Sequence, residues 1–134
     1  MKDRLLNADV ETAPVVWECD YQLVESVEQL KEILSRITKD DLLSIDTETT
    51  SVRASATELV GYSFAWEEGI AYYVPVKSRE EDVQLDADEV REVMRVILED
   101  PHIKKVGQNL KFDMVVLRRH GIRMQGLYFD TLVA

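Results

Sequence analysis

A single cysteine, Cys19, rules out an intrachain disulfide in this chain of 134 residues. No apolar run is long enough to span a bilayer, and Met1-Lys2-Asp3-Arg4 starts no signal-peptide pattern, so no membrane partner and a cytoplasmic location are expected. Neither a fixed-period repeat nor a low-complexity tract is present, which excludes solenoid and fibrous architectures. The sequence holds 2 histidines, and neither His102 nor His120 stands in a recognisable triad context, which argues against serine or cysteine nucleophile chemistry. Positive charge is also scarce, with 16 basic side chains against 26 acidic ones and a net charge of −10. That balance disfavours a broad nucleic-acid groove. It is uneven, however: residues 1–100 hold 10 basic and 24 acidic side chains, residues 101–134 hold 6 and 2. The basic end reads either as a nucleic-acid contact or as solvated positions at Lys104, Lys111, Arg118 and Arg119.

What is present is 46% hydrophobic residues, enough for one packed core. Residues 1–20, with Pro14 and Val15-Val16-Trp17, have no periodicity and read as a lead-in or linker; residues 21–134 read as the domain. Tyr21-Gln22-Leu23-Val24 reads as a short edge strand. Ser26-x-x-Gln29 then forms a capping box for a helix of about three turns, with Val27, Leu30, Ile33, Leu34 and Ile37 on one face. A second helix is expected behind Asp86-x-x-Glu89, with Val90, Val93, Met94, Ile97 and Leu98 inward and Pro101 beyond its end. Between them, Glu58 to Trp66 and Gly69 to Pro75 have the composition of a hairpin. Tyr62, Phe64, Trp66, Tyr72 and Tyr73 are expected to be sheet and core residues rather than base-stacking platforms.

The chain is organised around Leu42-Leu43-Ser44-Ile45-Asp46-Thr47-Glu48-Thr49-Thr50, an apolar run ending in two carboxylates. Side chains two apart on a strand share a face, so Asp46 and Glu48 can hold one hard cation between them. A second stretch, Lys104 to Asp113, reads as a strand, a turn at Gly107 and the start of a helix over residues 110–119 that stops before Gly121. Asn109 and Asp113 project from one face of that helix start. A strand, helix, strand passage of this length makes a parallel, right-handed crossover, which would bring Asp113 to the carboxyl end of the strand at Leu42. Three carboxylates converging without an interleaved cation require divalent ions, the chemistry of two-metal phosphoryl transfer with ions roughly 3.5–4 Å apart.

Asp46-Thr47-Glu48-Thr49, Leu59-Val60-Gly61-Tyr62-Ser63-Phe64-Ala65, Val106-Gly107-Gln108-Asn109-Leu110-Lys111-Phe112-Asp113 and Phe129-Asp130-Thr131 resemble the 3′ to 5′ proofreading exonuclease domain of bacterial family A DNA polymerases, of the DEDD exonuclease superfamily. The resemblance runs from about Tyr21 to the end of the chain. It implies a ribonuclease H-like three-layer α/β/α fold. Its mixed sheet would have about five strands, three antiparallel and the rest parallel, with the C-terminal helices missing. It implies two divalent cations, Mg²⁺ with Mn²⁺ or Zn²⁺ as substitutes, held by Asp46, Glu48 and Asp113 as catalytic and metal residues. Thr49, Val52, Asn109 and Phe112 would contact the substrate, a single-stranded DNA 3′ end trimmed to nucleoside monophosphates. A polymerase domain would be the partner in the parent chain. The family's tyrosine and aspartate four residues apart on a late helix have no counterpart: Tyr128 and Asp130 have the wrong spacing, and Asp130 reads as a helix N-cap. The chain is therefore expected to be a truncated piece with weak or no turnover, and to self-associate through uncovered apolar surface. Two other readings stand beside this one, a catalytically silent structural or strand-binding module and an RNA-trimming relative of ribonuclease D.

Overall fold

The computed structural model describes residues 19–51, 53, 57–77 and 83–132. Residues 1–18 of the lead-in therefore lie outside the described residues, as does Val52, whereas Asp20 already belongs to the first strand. Strand β1 (Asp20–Leu23) leads into helix α1 (Val27–Leu34), whose start is fixed as the residue pattern requires. Ser26 Oγ accepts the Gln29 N–H at 3.0 Å, and Gln29 Oε1 reaches back to the Glu25 N–H at 2.8 Å, one residue earlier than a standard capping box. The helix is shorter than its apolar spacing suggests. After Leu34 the amides of Arg36 and Ile37 bond three residues back, to Ile33 and Leu34, so the helix tightens and ends while Ile37 stays buried.

β2 (Leu42–Thr49), β3 (Leu59–Glu67) and β4 (Ile70–Pro75) form the antiparallel meander read from the sequence, with Gly69 at φ 83° in the tight turn. α2 (Ala87–Leu98) begins behind Asp86, whose Oδ1 accepts the Asp88 and Glu89 amides at 3.0 Å each. β5 (Lys104–Gly107) returns parallel to β2, pairing Leu42 with Lys104 and Ser44 with Val106. α3 (Leu110–Arg119) ends at Gly121, whose φ of 89° suits a glycine, and β6 (Leu127–Asp130) lies parallel to β5.

The sheet has six strands in the order β1-β4-β3-β2-β5-β6. That is one more than the about five the resemblance implies, and β1, the short edge strand read from the sequence, lies at one edge, parallel to β4. β2 sits inside the sheet, and its alternation sets the layout: Leu43, Ile45 and Thr47 are buried, whereas Leu42, Ser44, Asp46 and Glu48 are exposed. All three helices among the described residues contribute to the core that holds Leu43 and Ile45, through Leu30, Ile33 and Leu34, through Val90, Met94 and Leu98, and through Leu110, Val116 and Leu117. Phe64, Trp66 and Tyr72 stack there with ring centroids 5.3–6.2 Å apart, and Tyr62 is buried beside them, the structural role expected of these rings.

Among the described strand residues one charged side chain breaks the pattern. Lys105 alternates onto the covered face of β5 and is fully buried, its Nζ donating to the Asp100 carbonyl at 2.6 Å. Gly126 closes the turn beside it at φ 76°, where a Cβ would lie 2.4 Å from the Ile103 carbonyl oxygen.

Candidate active site

The site forms where a ladder of backbone hydrogen bonds stops. β5 pairs with β2 only as far as Ser44, then turns at Gly107 into α3, so the N–H of Thr47 has no strand partner on that side. Asp113, on the first turn of α3, takes the strand's place. Its Oδ1 accepts the Thr47 N–H at 2.9 Å and the Thr47 hydroxyl at 2.6 Å, and the residue as a whole is 1% exposed. Burial raises the Asp113 carboxyl above the usual aspartate range; the two Thr47 hydrogen bonds oppose that shift, and the nearby negative charge of Asp46 adds to it.

Asp46 and Asp113 line one cavity of about 600 Å³, together with Thr49, Asn109 and Phe112. Five of the seven residues singled out in the sequence thus meet. Thr49 is oriented by a hydrogen bond from its hydroxyl to the Ser51 carbonyl at 2.9 Å. Glu48 shares the strand face of Asp46 but does not line the cavity. Among the described residues no three acidic, histidine or cysteine side chains gather into a metal cluster. Glu48 has Gly61 opposite it across the β2–β3 pair, and the Tyr73 ring covers Gly61 so closely that a Cβ there would lie 2.6 Å from the phenol oxygen. The Tyr73 hydroxyl is pushed up first by burial and then by the charge of Glu48, so these two side chains share a neighbourhood on the open face of the sheet. Tyr73, grouped in the sequence with the core aromatics, is the exception among them. Its neighbour Tyr72 holds the buried alternation, which puts Tyr73 on the acid-bearing face.

The donor set suits a hard divalent cation, because it consists of carboxylate oxygens alone. Asp113 Oδ1 is committed to Thr47, so a cation held with Asp46 would have to draw on the remaining carboxylate oxygen. The negative charge of Asp46 already opposes ionisation of Asp113, and a cation between them would relieve that repulsion.

The entry to α3 shows a feature that spacing did not reveal. Asn109 precedes the helix with φ 57° and ψ 51°, the only positive φ outside glycine among the described residues, and its side chain makes no capping bond. The cap comes from β6. Asp130 accepts the Asn109 N–H and the Leu110 N–H at 2.8 Å each, in addition to the Leu132 N–H at 2.9 Å expected of a local N-cap. These amides hold the Asp130 carboxyl below the usual aspartate range, the Leu132 contribution being the largest. A separation of about twenty residues hid this contact, although Asp130 itself had stood out in the sequence.

A larger cavity, about 850 Å³, lies between α1 and α2 and is lined by Val27, Leu34, Val93, Val96 and Ile97 with charged side chains around them. Its lining acids are interleaved with cations, Asp88 and Glu92 both pairing with Arg91, so it is a helix-packing seam with a charged rim.

Among solved structures the chain is similar to *Trypanosoma brucei* RNase D in complex with RNA U12, with a TM-score of 0.67 and 18% identity over 83% of this chain and 37% of that one. It is also similar to *Brucella melitensis* NrnC with bound Mg²⁺, with a TM-score of 0.53 and 17% identity over 83% of this chain and 49% of that one. At such identities the likeness fixes the fold, which is that of the ribonuclease H-like exonucleases. The chain belongs to the 3′–5′ exonuclease family, which matches residues 21–134. It is 38% identical to the DNA polymerase I of *Pseudomonas aeruginosa* over 131 residues, 95% of this chain and 14% of that protein. Among the described residues no helix is long and apolar enough to cross a membrane.

Proposed function

We propose that this chain is the proofreading-type exonuclease domain of a DNA polymerase I, which hydrolyses the terminal phosphodiester of a single-stranded DNA 3′ end and releases nucleoside monophosphates in the cytoplasm. The observation that carries this reading is the pairing of Asp46 and Asp113 across one cavity at the carboxyl end of β2, in a chain of the exonuclease family. Asp46 and Asp113 would hold one divalent cation, and Asp46 with Glu48 a second, Mg²⁺ being the first choice for an all-carboxylate set. Such ions supply an activated water and neutralise the charge that develops on the phosphate. The protein's own part is positional. Thr47 fixes Asp113 through two hydrogen bonds, Thr49 and Asn109 offer polar groups to the terminal nucleotide, and half-buried Phe112 offers a ring face to its base. The polymerase domain of a longer parent chain is the natural partner.

A second reading, RNA trimming, draws on the fold likeness to RNase D; the sequence likeness to a DNA polymerase favours DNA. The test is degradation of labelled single-stranded DNA and RNA oligonucleotides in Mg²⁺ or Mn²⁺ by this chain, by its Asp46→Ala variant and by a longer version with additional C-terminal sequence from its parent. Metal-dependent loss of DNA nucleotides that disappears with Asp46→Ala supports the reading. A folded longer chain without activity would leave the silent module, and a preference for RNA ends would leave the trimming enzyme.

A further inference from the structure

A helix start normally uses the side chain of its own N-cap residue to satisfy the first orphan amides. α3 does not. Asn109 is a residue type that caps well, yet it adopts the left-handed conformation that asparagine tolerates better than most residues, and its amide takes no part in capping. The duty is carried across the sheet by Asp130 at the end of β6, with one carboxylate oxygen on the Asn109 N–H and the other on the Leu110 N–H. A further bond ties the same two segments, from the Thr131 N–H to the Gly107 carbonyl at 2.9 Å. The effect is to fasten the turn and release its side chain: Asn109 is exposed and lines the cavity shared by Asp46 and Asp113.

We infer that Asp130 is a positioning residue for nucleotide recognition. By capping α3 from the neighbouring strand, it keeps the Asn109 amide free and aimed at the sugar-phosphate end of a nucleic-acid strand. This rests on the reading of the cavity as an exonuclease site. Asp130 itself touches no substrate; it acts through Asn109. In Asp130→Asn one carboxylate oxygen becomes an NH₂ group facing a backbone N–H, so one of the two cross-strand contacts must fail and the Asn109 side chain is drawn back towards the orphan amides.

The test is a double-mutant cycle on binding rather than turnover. Affinity of the 134-residue chain for a fluorescein-labelled single-stranded DNA oligonucleotide is measured by anisotropy, with and without Mg²⁺, for the parent chain, Asp130→Asn, Asn109→Gly and the double variant. Glycine accepts the positive φ without strain and removes only the amide. Each single change is expected to weaken binding about tenfold, and the double variant to bind no worse than Asn109→Gly alone. Unchanged binding in Asp130→Asn overturns the inference, and so do losses that multiply in the double variant, since a purely structural cap would act independently of Asn109. If Asp130→Asn does not fold, Asn109→Gly decides: parent-like binding there also overturns it. A parent chain that binds no DNA, and is indifferent to Asp46→Ala, removes the reading of the cavity and the inference together, an outcome distinct from the others.

Discussion

Replacing Lys105 by methionine should abolish a specific rise of stability with pH. The lysine is fully buried, with one hydrogen bond from Nζ to the Asp100 carbonyl. Burial lowers its ammonium to about 8, partly opposed by the charge of Asp100. In the unfolded chain the same group titrates near its ordinary value of about 10.4. Between those values the unfolded chain binds more protons than the folded one, so stability increases as pH rises through the window. With a folded value of about 8, the unfavourable contribution falls from roughly 3 kcal/mol at about pH 7 to under about 1 kcal/mol at about pH 10, a gain of about 2.5 kcal/mol. Methionine fills most of the volume and carries no proton, so its variant should lack that gain. Urea unfolding of both chains at steps from about pH 7 to about pH 10 reads it directly. Other lysines and tyrosines titrate alike in both chains and cancel in the difference. A difference curve flat to within about 0.5 kcal/mol would refute the argument, and would mean that water reaches Nζ or that the side chain swings out.

Asp113→Ala should destabilise the chain by about 2–4 kcal/mol, because it leaves a buried N–H and hydroxyl of Thr47 without an acceptor, whereas Asp113→Asn should cost under about 1 kcal/mol. Both variants should lose Mn²⁺ affinity, so denaturant melts and a metal titration separate the two roles. Gly126→Ala forces a Cβ against the Ile103 carbonyl at a positive φ and should cost more than about 2 kcal/mol by urea unfolding, whereas Gly61→Ala meets only the movable end of Tyr73 and should cost less. The edge strand β6 exposes Leu127, Tyr128 and Phe129, followed by exposed Leu132. Concentration-dependent self-association is therefore expected in sedimentation, weakened by Phe129→Lys; a clean monomer at high concentration would count against it.

The elements were legible because their signals are local. Ser26 and Asp86 cap the helices they were expected to cap, the span of α3 follows from its apolar spacing and Gly121, and the parallel return of β5 follows from connection length. What the sequence hides are partners chosen by topology. Nothing near Thr47 announces that an acid 66 residues away will complete its hydrogen bonding, and nothing in Asp130 announces the start of α3. Nothing local distinguishes Lys104 from Lys105, yet strand parity sends Lys104 over the exposed Tyr128 ring and Lys105 into the core. Glu48 was grouped with Asp46 by the same parity argument, which fixes the face but not the direction in which a long side chain leans along it.

The early departure of β5 gives the site an asymmetry in what each acid can be exchanged for. Asp46 is an exposed side chain whose replacement leaves every backbone bond in place, so a lineage relieved of the need to cut could drift freely there. Position 113 has no such freedom, because the central strand still requires an acceptor for Thr47 after any chemistry is gone. Silent descendants of this domain should therefore be recognised by what fills position 113: asparagine or another short acceptor in place of the aspartate, beside almost anything at position 46.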